Sequence, residues 1–212
     1  MTAFYSVPSE WPGETAFIVA GGPSVRALDL EQLRGRKVIA INSSIHVVPW
    51  ADVHYFGDWR WWNEPENAAA VAGFAGRVVT VSQNVEDKKI LICRKGKPPG
   101  LSAARDTLMQ KWTSLTAATN LAAHLVGPGG AIVWLGADGK PAADGTVWHH
   151  KPHRWPPKRQ RWELHRADIA TMVEPLRRMG ITLRNASAGS AYADLWPVVC
   201  LQDVLGDARI AA

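Results

Sequence analysis

Three histidines fall within five residues in the run Trp148-His149-His150-Lys151-Pro152-His153-Arg154-Trp155. Imidazole is the side chain best suited to moving a proton near neutral pH. His150 and His153, with His149 behind them, are therefore the candidate catalytic bases. Cationic neighbours would hold such a histidine in its free-base form, or would stabilise a departing anion as a metal does elsewhere. Two other chemistries compete for the segment. The three imidazoles with Asp144 could take zinc, although the spacing fits no standard site and no cysteine is near. An exposed basic loop would instead attract nucleic acid, its Lys and Arg meeting phosphates while Trp155 and Trp162 stack on bases.

A second constellation is the turn Ala20-Gly21-Gly22-Pro23-Ser24-Val25, which follows the apolar run 16–20. Glycines let a backbone approach a ligand closely, and exposed N–H groups then bind anionic oxygens. Neither G-x-G-x-x-G nor a Walker lysine is present. The turn reads as a holder for the phosphate-bearing end of a nucleotide-type ligand, or as a tight turn with no ligand. Polar residues also stop other apolar runs: Asn42, Asp58, Asp138 after Gly136, and Asn185. The Asn42 amide both donates and accepts, which suits a base or a ribose hydroxyl. As a helix cap with Ser43 and Ser44 nearby it would have a purely structural job.

Apolar runs 16–20, 37–41, 52–56, 77–82, 89–93 and 131–135, with 181–184, read as short strands. Residues 29–33, 64–73, 114–126 and 164–179 read as helices, and 95–100 as a loop that breaks the pattern. The helix over 114–126 stops at Gly127-Pro128-Gly129-Gly130, and that over 164–179 at Gly180. The alternation predicts an α/β, Rossmann-like fold with a mainly parallel sheet and helices on both faces. In such sheets ligands sit outside the carboxyl ends of the strands, so the polar strand ends are expected to line one crevice. Residues 140–162 lack periodicity and are expected to form a basic lid.

The length of 212 residues fits one domain, and a hydrophobic fraction of 47% with 20% charged residues supports an ordinary core. The net charge of +5 is local: six Lys and Arg lie between Trp148 and Arg166 against the single acid Glu163. That points to an anionic partner for the 148–166 segment. Cys93 and Cys200 sit in apolar runs and read as small hydrophobes. No run is long enough to insert in a membrane, and a cytoplasmic setting is expected. Most of the eleven tryptophans are expected in the core, with Trp155 and Trp162 as exceptions because charges surround them. His124, in an apolar helix, reads as a core residue.

The ordered set Val19-Ala20-Gly21-Gly22-Pro23-Ser24-Val25, Asn42, Thr113-Ser114, Leu135-Gly136-Ala137-Asp138, the histidine segment, Asn185 and Ser190 resembles the bacterial sialyltransferases of glycosyltransferase family 42. It is equally similar to related phage and flagellar-accessory proteins with a G-x-G-P-S loop. The resemblance runs in order from residue 16 to 206 through short motifs. It implies a Rossmann-like sheet with a flexible lid, a cytidine monophosphate sugar as donor, no metal cofactor and a lid histidine as general base. Carried over, Gly22, Pro23 and Ser24 would cradle the donor phosphate and Asn42 would contact the nucleotide. Ser114 would lie near the donor and Asp138 near the ribose or sugar, while Asn185 and Ser190 would close the cytidine pocket. The chain departs from the family at Gly21 and Leu115, where asparagine and glycine are usual, and has no tyrosine in 140–165.

The leading expectation is therefore an inverting, metal-independent glycosyltransferase that uses a nucleotide-sugar. Its acceptor would be anionic, nucleic acid among the candidates. A pterin-type pyrophosphokinase would need magnesium on Asp58 and Asp138. A nucleic-acid-binding protein on a catalytically silent fold is the non-enzymatic alternative.

Overall fold

The computed structural model describes residues 4–154 and 161–207. Its strands are β1 (Thr15–Val19), β2 (Lys37–Ile41), β3 (Val53–Phe56), β4 (Arg77–Thr80), β5 (Leu91–Ile92), β6 (Arg94–Gly96), β7 (Thr107–Met109), β8 (Ala131–Leu135) and β9 (Thr182–Asn185). Seven of them form one sheet in the order β5-β4-β3-β2-β1-β8-β9, every pair parallel. The α/β, Rossmann-like expectation holds. β6 and β7 form a separate parallel pair, so the segment read as a pattern-breaking loop begins in a strand.

Side chains alternate across the sheet because a strand repeats every two residues. Ala16, Ile18, Ile39, Ile132 and Trp134 face one apolar layer, completed by Leu121 and Leu125 of α3 (Ser114–Val126), which follows α1 (Trp59–Trp62) and α2 (Pro65–Ala72), and by Ile169 and Leu176. Phe17, Val19, Val38, Val133 and Leu135 face the other, completed by Leu33, Val204 and Leu205. The chain winds outward from β1 to β5, then returns through α3 to place β8 on the other side of β1. That reversal opens a crevice at the carboxyl ends of β1 and β8, where ligands bind in sheets of this kind. α3 keeps the expected bounds because both ends are specified. The Thr113 hydroxyl accepts from Leu115 N–H (3.2 Å), and Gly127 stops the helix at φ 65.

Several expectations need correction. The helix over 164–179 is two helices, α4 (Trp162–Ala170) and α5 (Val173–Arg178). Pro175 has no N–H for the residue 171 carbonyl, so a continuous helix would lose a bond there. The helix Leu201–Asp207 packs Leu201, Val204 and Leu205 into the second layer but leaves Cys200 exposed, not buried as a hydrophobe. Cys93 is buried, and burial pushes its thiol up to about 12. Among the described residues the buried tryptophans are Trp11, Trp61, Trp134 and Trp196, a minority of the eleven. Trp59 and Trp112 are the exposed pair, Trp162 is half-buried, and Trp155 lies outside the described residues. Among the described residues no helix is long and apolar enough to cross a membrane.

His54 carries an acid sensitivity that its place in β3 creates. Its ring has no exposure and packs against Phe56, Trp61 and Phe74 at centroid distances of 5.1–5.9 Å. Burial pushes its pKa down to about 3, against a weaker opposing pull from the Ala40 backbone. The unfolded chain takes up that proton near 6.5, so stability is complete above that pH. It falls by about 1.4 kcal/mol per pH unit as pH drops from there toward 3. Chemical denaturation of His54→Phe between pH 4.5 and 7 should show a slope smaller by one proton. An unchanged slope would contradict the neutral, buried imidazole.

Candidate active site at the carboxyl ends of β1 and β8

The turn after β1 is held by the turn after β8. Gly22 N–H donates to Gly136 O (2.9 Å), and Val25 N–H returns to Gly22 O (3.3 Å). Ser24 donates twice to the Asp138 carboxylate, from its N–H (3.3 Å) and its hydroxyl (2.9 Å). Pro23 is buried and has no N–H. The expected phosphate cradle of Gly22, Pro23 and Ser24 is thus corrected. Its donors are spent inside the chain, and a carboxylate already occupies the place an anion would take. Gly21 N–H remains as the donor of the turn. Asp138 is 7% exposed, and burial lifts its carboxyl above the usual range against the opposing Ser24 bonds.

Beside this turn lies a cleft of about 250 Å³. It brings together Gly21, Gly22, Asn42, Thr113, Ser114, Gly136 and Asp138 as expected. The first turn of α3 opens onto it. With Leu115 N–H bound by Thr113, the Ser114 and Thr116 N–H groups and the positive end of the helix are left to stabilise negative charge. Lys140 adds a cation on the same cleft. Asn42 adopts a left-handed φ of 48, begins a 3-10 helix rather than capping one, and leaves its buried Oδ1 unpartnered. That oxygen is an acceptor awaiting a donor.

Other predicted residues do not line the cleft. Asp58 caps the helix Trp59–Trp62, is gripped by the Arg60 guanidinium, and lines an adjoining groove instead. Asn185 is fully buried, its Oδ1 accepting from Ser187 N–H (3.1 Å). Ser190 donates to Ala137 O (2.6 Å) and accepts from Tyr192 N–H (3.1 Å). Both residues brace the loop after β9 and present no face to the cleft. Asp58 and Asp138, the magnesium pair of the pyrophosphokinase expectation, lie in different compartments, so they do not fit that ion.

The histidine segment straps the turn from outside. His149 N–H donates to Gly21 O (3.1 Å), and the Arg26 guanidinium donates to Trp148 O (3.1 Å) and His149 O (3.4 Å). Ser44 Oγ donates to Ala20 O (3.2 Å), so His149 Nε2 donates to Ser44 Oγ (3.0 Å). His149 therefore positions the strap and does not face the cleft. His150 is tied the other way. Its Nδ1–H donates to Lys151 O (2.6 Å), which leaves the Nε2 lone pair beside Gly21. Burial is the main force pushing His149 and His150 down to about 4, reinforced by neighbouring imidazoles and Arg26. His153 is also lowered by burial, against an upward pull from the Asp58 charge, and its ring lies 4.8 Å from that of His150. All three are uncharged at neutral pH.

The zinc alternative does not assemble. Asp144 accepts from Thr146 N–H (2.9 Å), and among the described residues no three His, Cys, Asp or Glu are placed to hold a metal. Nor do the described cations of 148–166 make one basic surface. Lys151 lies behind the strap, Arg154 is beside Glu64, Arg161 lines the groove and Arg166 is paired with Asp194. Lys158 and Arg159 lie outside the described residues.

The adjoining groove has a volume of about 960 Å³ and shares Trp112, Ser114, Trp148, His153 and His165 with the cleft. His153 thus stands at the junction of two compartments. Comparison with known proteins finds no matching family model, curated protein or solved structure. Sequence reasoning missed Trp112, Lys140 and Tyr192 on the cleft, and Ser44 and Arg26 behind the strap. Arg26 and Ser44 each follow a predicted contact, Ser24 and Asn42, by two residues, a spacing that could have drawn attention to both.

Proposed function

We propose that the chain is a glycosyltransferase that uses a nucleotide-sugar donor. The observation that carries this reading is one cleft that gathers groups suited to negative charge and uncharged imidazoles, and that joins a second, larger compartment at His153. The first turn of α3, Gly21 N–H and Lys140 would take the donor phosphate. Asn42 Oδ1 would accept from the base or ribose, and the Asp138 carboxylate would accept from sugar hydroxyls. Tyr192, pushed up to about 12 by burial, keeps its proton and can donate to the leaving oxygen.

In the transfer, His153 removes the acceptor hydroxyl proton as that oxygen attacks the anomeric carbon. The bond from that carbon to the phosphate oxygen breaks, and the nucleotide leaves with the electron pair and the new charge. Attack on the face of that carbon opposite the departing phosphate inverts the anomeric configuration, the outcome the resemblance to family 42 implies. The resemblance to family 42 favours a cytidine monophosphate sugar as donor.

Calorimetric titration with CMP, UDP and their sugar conjugates tests the donor site. At least one should bind. Asn42→Gly, which keeps the left-handed backbone and removes the amide, should weaken that ligand about fivefold. A folded protein that releases no heat with any of them overturns the reading.

A further inference from the structure

The groove that meets the donor cleft at His153 has a chemistry of its own. Trp59 and Trp112 line it, 41% and 37% exposed, and are two of the four large apolar side chains exposed among the described residues. Lys95, Lys111 and Arg161 line it too, and none has an ion-pair partner among the described residues. Lys111 Nζ lies 5.5 Å and the Arg161 guanidinium 5.2 Å from the Trp112 ring, so the cations and the indole form one surface. Asp58, paired with Arg60, lines the groove as well, and its charge also reaches Lys95 and His153. The amides of Gln83 and Asn84 add neutral donors and acceptors.

Free cations alone would suit any polyanion, and exposed indoles alone would suit a sugar. Their combination in one groove fits a chain that offers phosphates and flat unpaired rings together. We infer that this groove binds single-stranded nucleic acid. A duplex hides its base faces in its own stack, so the indoles favour an unpaired strand. The inference rests on the glycosyltransferase reading for one step, that the strand brings its hydroxyl to His153 and serves as acceptor. It differs from the sequence expectation in place: the binding surface is built from Lys95, Lys111, Trp59 and Trp112 with Arg161, not from the 148–166 segment as a whole.

The test is fluorescence anisotropy with a labelled ten-nucleotide oligothymidylate and no donor present. Neutralising three phosphates predicts that binding weakens about twentyfold from 50 to 200 mM salt. Trp59→Ala should weaken the oligonucleotide about tenfold and leave binding of dextran sulfate, a polyanion without bases, unchanged. Lys111→Glu and Lys95→Glu should weaken both ligands. Absent binding at 50 mM salt overturns the inference. So does unaltered affinity in Trp59→Ala, or equal competition by a duplex of the same length. Asn42→Gly, which tests the donor cleft, should leave the oligonucleotide affinity unchanged. Oligonucleotide binding with silent nucleotide calorimetry would remove the donor reading alone, and the converse result would remove this one alone.

Discussion

Replacing Gly22 with alanine should destabilise the protein by about 3 kcal/mol or more and abolish nucleotide binding. A Cβ at this position would stand 1.9 Å from Asp138 Oδ2 and 2.4 Å from Gly136 O. The carboxylate can swing away, but it then leaves both Ser24 bonds. The Gly136 oxygen belongs to the backbone, and moving it breaks the 2.9 Å bond that joins the two turns. The cause is space, since Gly22 has an ordinary φ of −69. Gly21 is the internal control. Its Cβ would meet His150 Nε2 at 3.5 Å and Trp148 Cδ1 at 3.7 Å, normal contacts. Gly21→Ala should therefore stay within about 0.5 kcal/mol of the parent. Urea denaturation of the two variants checks the pair, and similar midpoints would refute the interlocked turns.

Removing the imidazole of His153 should cost about 10²- to 10⁴-fold in kcat for glycosyl transfer while leaving donor affinity intact. The pH profile carries the sharper signature. Burial lowers the His153 pKa and the Asp58 charge raises it, so activity should be flat near neutrality and fall on the acid side as the ring is protonated. Asp58→Asn keeps a residue that can cap the helix Trp59–Trp62 and removes the charge. Its acid limb should move to lower pH, because the imidazolium loses a stabilising partner. A limb that stays in place, or a His153→Ala enzyme with full kcat, would assign the base elsewhere.

The parallel sheet was legible because a strand buried on both faces must be apolar throughout, as 16–20, 37–41 and 131–135 are. The same logic located the cleft, since those strand ends meet where the chain reverses. Less legible was which way each polar group points. Asn185 ends a strand and Asn42 follows one, yet the Asn185 oxygen braces a loop and its nitrogen stays unpartnered, whereas at Asn42 it is the oxygen that has no partner. Ser24 stands in a glycine-rich turn as a phosphate ligand would, but the carboxylate of Asp138 holds its hydroxyl. That pairing joins residues 114 positions apart, and no local pattern encodes it. The tryptophans were less legible for a related reason. Charged neighbours along the chain singled out Trp155, outside the described residues, and Trp162, half-buried on the cleft, but exposure depends on what the fold leaves uncovered, and among the described residues that adds Trp59 and Trp112.

The partnership of β1 with β8 bears on how the molecule comes into being. β1 can pair with β2 as soon as both are made, but its other edge has no partner until Ala131–Leu135 is made. A nascent chain that stops short of that strand carries an apolar, unsatisfied edge, the kind of surface that pairs with a second copy. Truncations ending before residue 131 should therefore aggregate, whereas ones that include β8 close the sheet at its centre.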